Sequence, residues 1–440
     1  MDCIFIFRRD LRLEDNTGLN YALSECDRVI PVFIADPRQL INNPYKSEFA
    51  VSFMINSLLE LDDELRKKGS RLNVFFGEAE KVVSRFFNKV DAIYVNEDYT
   101  PFSISRDEKI RKVCEENGIE FKAYEDYLLT PKSLFHHRNF TSFYNEVSKV
   151  KVREPETMEG SFDVTDSSMN VDFLLTFKKI ESPLFRGGRR EGLYLLHRNV
   201  DFRRRDYPAE NNNYRLSPHL KFGTISMREA YYTQKGKEEF VRELYWRDFF
   251  TLLAYYNPHV FGHCYRREYD NISWENNESY FEAWKEGRTG YPIIDAGMRM
   301  LNSTGYINGR VRMLVAFFLV KVLFVDWRWG ERYFATKLVD YDPAINNGNW
   351  QWIASTGVDY MFRVFNPWKQ QEKFDPEAKF IKEWVEELKD VPPSIIHSIY
   401  KTKVPGYPSP IVNWLERVNY VKSEYKNVKA VLLEHHHHHH

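Results

Sequence analysis

The spacing of apolar residues changes character part-way along this chain, and that change limits the folds open to it. Over residues 1–130, short β-branched and aromatic runs alternate with amphipathic stretches of helical period. Strands are expected at Cys3–Phe7, Val29–Ile34, Leu72–Phe76, Ala92–Val95 and Glu120–Ala123, with helices between them at Phe49–Lys68, Ala79–Lys89 and Ser105–Asn117. Strands and helices alternating at this spacing give a doubly wound parallel sheet, a Rossmann-like α/β domain whose ligands sit beyond the strand carboxyl ends. No GxGxxG follows a strand, so a dinucleotide-binding reading has no motif behind it.

Over residues 131–185 the pattern dissolves. Glu154-Pro155-Glu156 and the polar stretch Ser161 to Asp172 read as a long connection that wraps the surface. Residues 186–432 are helical in period throughout, with helices expected at Phe240–Tyr256, Asp295–Ser303, Val311–Val325 and Pro376–Leu388. The expected fold is therefore an α/β domain followed by an all-α domain. Residues 433–440, Leu433 to His440, read as an expression tag that removes six of the thirteen histidines, so histidine content gives no metal site.

Cys3, Cys26, Cys114 and Cys264 are far apart and form no CxxC, which suits a reducing cytoplasm without disulfides. The most apolar run, Met313 to Val325, is broken by Lys321 and is shorter than the ~20 residues that span a bilayer. No secretory leader opens the chain, so a soluble, cytoplasmic protein is expected. A net charge of −1 excludes a blanket polybasic binder, and any nucleic-acid affinity must come from a local patch.

All ten tryptophans lie between Trp246 and Trp414. Two pairs stand out, Trp327 with Trp329 and Trp350 with Trp352, the second closing the polar run Asp340-Tyr341-Asp342-Pro343-Ala344-Ile345-Asn346-Asn347-Gly348-Asn349-Trp350-Gln351-Trp352. Indole is costly to bury unless its N–H is bonded, can relay electrons, and stacks on unstacked bases. A redox cofactor beside a nucleic-acid surface would use all three properties. Glu243, Trp246 and Arg247 are spaced i, i+3, i+4, which puts carboxylate, indole and guanidinium on one helix face; the blander reading is a surface ion pair worth only ~0.3–0.5 kcal/mol.

Phe7-Arg8-Arg9-Asp10-Leu11-Arg12-Leu13-Glu14-Asp15-Asn16 follows the first strand and by itself would more often be a salt-bridged turn than a site. Together with Arg215-Leu216-Ser217-Pro218-His219-Leu220-Lys221-Phe222-Gly223, Glu243-Leu244-Tyr245-Trp246-Arg247, Gly290-Tyr291-Pro292-Ile293-Ile294-Asp295-Ala296-Gly297-Met298-Arg299 and the Asp340–Trp352 run, it resembles the DNA photolyase and cryptochrome family, in the family's order and over nearly the whole chain. Within that family the resemblance is nearest to class I photolyases of cyclobutane pyrimidine dimers.

The resemblance implies a helical domain that binds FAD, with Arg215, Leu216, Ser217, Arg247, Asp340, Asp342 and Asn346 as flavin contacts, Asn346 facing the redox nitrogen. Trp246 and Trp352 would wall a flipped-out dimer, Glu243 would hydrogen-bond its bases, and Arg310 and Arg363 would hold backbone phosphates, with Arg186, Arg189 and Arg190 adding positive charge. Met313, one turn beyond Arg310, matches the methionine of dimer-repairing enzymes, and no histidine lies where relatives acting on the pyrimidine–pyrimidone product carry one. Trp350, Trp327 and Trp274 match the family's electron-relay tryptophans. The implied partner is damaged DNA, bound by a monomer without a membrane. The rival is a cryptochrome-type blue-light photoreceptor without repair activity.

The chain departs from the pattern in places. Asn213-Tyr214 replaces the usual Thr-Ser, leaving Asn213 as the candidate cofactor contact there. Phe240 and Tyr306 stand where many relatives carry tryptophan. In Asn308-Gly309-Arg310 a glycine separates the asparagine from the arginine it normally precedes. Asp98-Tyr99-Thr100-Pro101-Phe102-Ser103 lacks the Asn-Glu pair of folate-using relatives, which favours a flavin or deazaflavin over folate as a second, antenna chromophore, or no antenna at all.

Overall fold

The computed structural model describes residues 1–438, with side-chain environments through residue 429. Five strands, β1 (Asp2–Phe7), β2 (Arg28–Ala35), β3 (Asn73–Phe76), β4 (Ala92–Asn96) and β5 (Glu120–Tyr124), form one parallel sheet in the order β3-β2-β1-β4-β5. β1 and β2 are almost continuously buried because both faces are covered by helices, as an all-parallel sheet requires. Ile4, Ile6, Val32, Phe75, Phe86, Ile93, Val95 and Ile110 make the core of this layer. The order in which strands are added reverses between β1 and β4, where such folds open a crevice at the strand carboxyl ends.

The helices start where side chains can satisfy their first N–H groups. Ser47 caps Glu48–Arg66, and Thr100 caps Pro101–Glu116, whose proline sits in the first turn. Ala79–Val82 is a single α turn that tightens into a 3-10 turn, Val83–Phe86, so the longer helix expected there is broken.

By their packing the residues fall into two compact units. One comprises Met1–Asn199, Tyr214–Pro258 and Val339–Ala344; the other comprises Val200–Asn213, His259–Leu338 and the chain from Ile345 onward. Beyond residue 186 no strand occurs among the described residues. The first unit adds Met227–Thr233, opened by a Ser226/Glu229 capping box, and the long helix Glu238–Tyr256. In the second unit the apolar run from Val311 forms Gly309–Phe317 and then widens into a π-helical turn, Phe318–Val322. No helix among the described residues is long and apolar enough to cross a membrane.

Two expectations are corrected. Cys3 and Cys26 form a disulfide, with Cα atoms 6.3 Å apart. The helix Thr17–Glu25 returns beside β1, and Asp2 pairs with Arg28, so Cys26 comes back next to Cys3 in a way their spacing of 23 does not reveal. The stretch expected to wrap the surface also holds core. Its helix Phe140–Val147 buries Phe140, Phe143 and Val147, and Phe162 and Met169 bridge to Val29 and Val74 of the sheet. Isolated bridges carry no periodicity, which is why the sequence pattern faded there.

The loop before Phe140–Val147 is clasped to its last turn. His136 and His137 stack with centroids 4.0 Å apart, and their Nε2 atoms lie 3.2 and 2.6 Å from the Glu146 carboxylate.

Candidate functional site

In the first unit the opening signature is a buried ion network. Arg8 pairs with Asp107, Arg12 with Asp126, and Asp15 with Arg228, all largely shielded from water. Arg9 donates to Asp98 at 3.0 Å and to Asp342 at 2.5 Å, which joins the signature to the Asp340–Trp352 run. The bland reading of this motif, a salt-bridged turn, describes most of its residues. Gly223 closes the second motif with φ +63, and a Cβ there would lie 2.2 Å from the Arg9 carbonyl oxygen, so only glycine fits.

Around Arg9 lies a cluster of charge. Arg215 holds a left-handed backbone (φ +57), a strained conformation for a side-chain-bearing residue, and turns the chain into the short helix Ser217–Lys221. Leu216 is buried, and Ser217 Oγ donates to Asp340 Oδ2 at 2.6 Å. Asp342 Oδ1 accepts from the Ala344 amide at the start of helix Pro343–Ala354. Burial, with Arg9 nearby, pulls Lys221 down to about 8. Burial also holds Arg247 below the usual guanidinium range, against the opposing pull of Asp342 and Asp340. Neighbouring carboxylates therefore do not fully compensate these cations, and an anion placed beside them would.

Helix Glu238–Tyr256 carries Glu243, Trp246 and Arg247 in the expected i, i+3, i+4 array. Glu243 is exposed and Trp246 half-buried. One indole face is fully occupied: Phe140 stacks on it at 3.7 Å, 7° from parallel, and Phe250 leans against it at 5.2 Å. Arg242 lies over the Phe140 and Tyr144 rings, bracing the stack from outside. Arg189 and Arg190, considered for a basic face, are engaged with Glu229, Glu14 and Glu60.

In the second unit, Asn346 and Asn347 are both anchored to Glu331. Asn347 Nδ2 donates to Glu331 Oε2 at 2.6 Å, and Asn346 Nδ2 donates to the Glu331 backbone oxygen at 3.0 Å. That carbonyl can only accept, so the amide orientation of Asn346 is fixed and Oδ1 remains as its acceptor for a ligand. Burial raises the Glu331 carboxyl to about 7.

Trp350 and Trp327 are wholly buried and Trp274 is half-buried, a gradation from core toward surface. Trp350 packs edge-on against Phe334 and Trp284, and its buried indole N–H has no hydrogen-bond partner. A Cβ on Gly330 would lie 2.2 Å from Trp350 Cη2. Trp327 Nε1 donates to Cys264 Sγ, and Trp274 leans on Phe324.

Arg310 and Met313 share the helix Gly309–Phe317, with Arg310 paired to Asp206 at 3.1 Å and lying over the Phe374 ring. Asn308 is that helix's N-cap: its Oδ1 accepts from the Arg310 amide and its Nδ2 donates to Arg205 O. Both ends of its amide are therefore spent on the backbone. Gly309 is exposed with open space at its Cβ position. Arg363 lies over the Trp352 ring at 4.8 Å while its Nε donates to Asp359. Asn213 is half-buried.

Residues 3–159 match the family model for DNA photolyase, and residues 240–427 match the FAD binding domain of DNA photolyase. A deoxyribodipyrimidine photo-lyase of Halobacterium salinarum is 34% identical, covering 94% of this chain and 96% of its own. The chain belongs to the DNA photolyase family. The Escherichia coli deoxyribodipyrimidine photo-lyase is 33% identical over 93% of this chain and 95% of its own. Among solved structures, a class III photolyase of Agrobacterium tumefaciens superposes with TM-score 0.89 at 30% identity, covering 98% of both chains. A Synechocystis cryptochrome gives 0.86 at 28% identity, covering 96% of this chain and 98% of its own.

This photolyase-family chain thus carries an FAD-binding domain, and its residues fit that cofactor. In the first unit the undercompensated cations Arg247 and Lys221 suit a diphosphate and the Asp340 and Asp342 carboxylates suit hydroxyl and amine donors; in the second unit, taken by itself, Asn346 Oδ1 suits a ring N–H. Phe140, Lys221 and Glu331 were not among the residues singled out from sequence. Phe140 lay in a segment without periodicity, and no local signal marks the other two.

Proposed function

We propose that this protein repairs cyclobutane pyrimidine dimers in DNA in a light-driven lyase reaction, splitting the dimer into two pyrimidines without net redox change. The observation that carries this reading is the near-full-length relationship to proteins named deoxyribodipyrimidine photo-lyase. Reduced FAD, when bound, supplies the photoexcited electron that enters the dimer and returns. Arg215, Leu216, Ser217, Arg247, Asp340 and Asp342 hold the cofactor, with Asn213 in place of the missing hydroxyl. Asn346 presents its carbonyl oxygen to the flavin ring and sets its redox balance.

On the substrate side, Trp246 and Trp352 receive the apolar faces of an extruded dimer, and Glu243 hydrogen-bonds its bases. Extrusion costs less for a distorted lesion than for a paired base, so recognition rests on shape and deformability. Met313 contacts the lesion, while Arg310 and Arg363 exchange their aspartate partners for backbone phosphates. Trp274, Trp327 and Trp350 carry electrons inward from the surface.

The same reading gives an α/β antenna-chromophore domain over 1–130, a linker over 131–185 and a helical catalytic domain over 186–432. If the α/β domain holds an antenna, a flavin or deazaflavin is favoured over folate, and the enzyme works as a cytoplasmic monomer on damaged DNA. The Synechocystis cryptochrome likeness favours one rival, a photoreceptor without repair. The deciding experiment follows dimers in an irradiated thymine oligonucleotide with flavin-loaded, reduced protein. Loss of dimers under blue light and not in the dark supports the lyase; no loss with reduced FAD bound overturns it in favour of photoreception.

A further inference from the structure

The segment from Ser355 to Arg363 leaves helix Pro343–Ala354 through a left-handed residue, Ser355 at φ +59, and has no regular secondary structure. Its backbone is nevertheless fully engaged on one side. Arg266 Nη2 donates to the carbonyl oxygens of Ser355 and Asp359, and Arg266 Nε donates to that of Gly357, each at 2.8 Å. Lys321 Nζ donates to the Arg363 carbonyl at 2.7 Å and to Ser355 Oγ at 2.8 Å, and Ser355 Oγ donates in turn to the Met361 carbonyl. Every second carbonyl from 355 to 363 is thus taken by a side chain. Four of those five carbonyls are held by Arg266 or Lys321, and the fifth by the segment's own Ser355.

Those cations are costly to keep there. Lys321 is 0% exposed and Arg266 8%, and neither has a carboxylate within ion-pair distance among the described residues. Taking a charge out of water without a paired countercharge is strongly unfavourable, and an apolar side chain would fill either place more cheaply. Burial pulls Lys321 down to about 7, which expresses the same cost. What an apolar residue could not do is fix carbonyl positions along an irregular stretch. Lys321 reaches them from the π-helical turn Phe318–Val322, a local widening that is frequent at functional sites. Arg266 also lies 4.6 Å under the Tyr360 ring.

The opposite side of the segment faces outward. Tyr360 is 78% and Met361 63% exposed, and Arg363 stands over Trp352. We infer that Arg266 and Lys321 are positioning residues that preorganise the 355–363 segment to receive damaged DNA. This rests on the reading of Arg363 and Trp352 as DNA contacts. A segment already ordered before binding loses less freedom on binding, so the two cations act on substrate affinity and not on the chemistry.

The test compares Lys321→Met, Lys321→Gln, Ser355→Ala and Arg363→Ala in the full-length, FAD-loaded protein, using a dimer-containing oligonucleotide. Measured are Kd, KM and kcat under saturating light, and flavin photoreduction without DNA. Lys321→Met is expected to raise Kd and KM about tenfold while kcat and photoreduction hold, with Lys321→Gln, which keeps a donor, recovering part of the loss. A folded Lys321→Met with unchanged Kd, while Arg363→Ala weakens binding, overturns the inference alone. Unchanged Kd in Arg363→Ala overturns the reading beneath it and the inference together. Should Lys321→Met fail to fold, Ser355→Ala and Lys321→Gln decide: wild-type Kd in both overturns the inference, and raised KM at constant kcat supports it.

Discussion

Phe140 lies flat on Trp246, ring centroids 3.7 Å apart and planes 7° from parallel, so that face of the indole is closed to any ligand. A residue from a segment without sequence signal thereby fixes the orientation of the best substrate-wall candidate in the first unit. Phe140→Ala should cost about 3 kcal/mol of stability, as for other buried aromatic truncations. It should also raise KM for dimer-containing DNA, because the indole loses its backing. Denaturant melts and KM measured on the folded fraction check both parts; unchanged KM would remove Phe140 from any role beyond packing.

Trp350→Phe should abolish flavin photoreduction while leaving FAD binding in the dark intact. Gly330→Ala reaches the same indole by another route, since its methyl would sit 2.2 Å from Trp350 Cη2. Overpacking of this kind costs about 1–3 kcal/mol. Photoreduction in Gly330→Ala should slow as the ring shifts, read by absorbance under blue light with an external reductant.

Gly309 has open space where a Cβ would stand. Gly309→Asn should fold normally and gain up to about 0.5 kcal/mol by restricting the unfolded chain. It would also place an amide directly before Arg310, and dimer affinity should rise several-fold. A stable variant with wild-type affinity would show that this substrate contact is not wanting in the natural chain.

Arg310 is held by Asp206 at 3.1 Å and would exchange that carboxylate for a phosphate. Arg310→Ala should weaken binding to damaged and undamaged duplexes alike, and reduce the slope of log K against log salt by about 0.9. Titrations at several salt concentrations give the slope directly; an unaltered slope would mean that Arg310 touches no phosphate.

Glu331 titrates higher in the folded protein than in the unfolded chain, raised by burial to about 7. The folded state therefore binds the extra proton between pH 4.5 and 7, and this group's contribution is full below pH 4.5 and lost as pH rises through 7. The effect is on the order of 2 kcal/mol after allowance for partial exposure. The difference in unfolding free energy between wild type and Glu331→Gln should fall over that window, and a flat difference would place the Glu331 titration elsewhere.

Much of this was legible in the sequence because periodic burial writes itself into apolar spacing. All five strands and the long helices Glu48–Arg66 and Glu238–Tyr256 appear where alternation and helical spacing put them. The Glu243–Trp246–Arg247 array followed from helix geometry alone. Contacts made by single residues across long stretches of chain leave no such trace. Cys26 returning to Cys3, Phe140 reaching Trp246 and Arg266 grasping the 355–359 carbonyls depend on where loops end in space. Asn308, whose place in the altered motif the sequence left open, proves to cap the helix it precedes.

The pairing of Arg9 with Asp342 has a bearing on biosynthesis. The compact unit that begins at Met1 is completed by Val339–Ala344, so a ribosome must deliver most of the chain before that unit can close. Until then Arg9, two residues beyond β1, lacks one of its two carboxylates. Domains generally fold as they emerge, but this unit is complete only with its last six residues, so a nonsense codon upstream of Val339 would yield an incomplete unit.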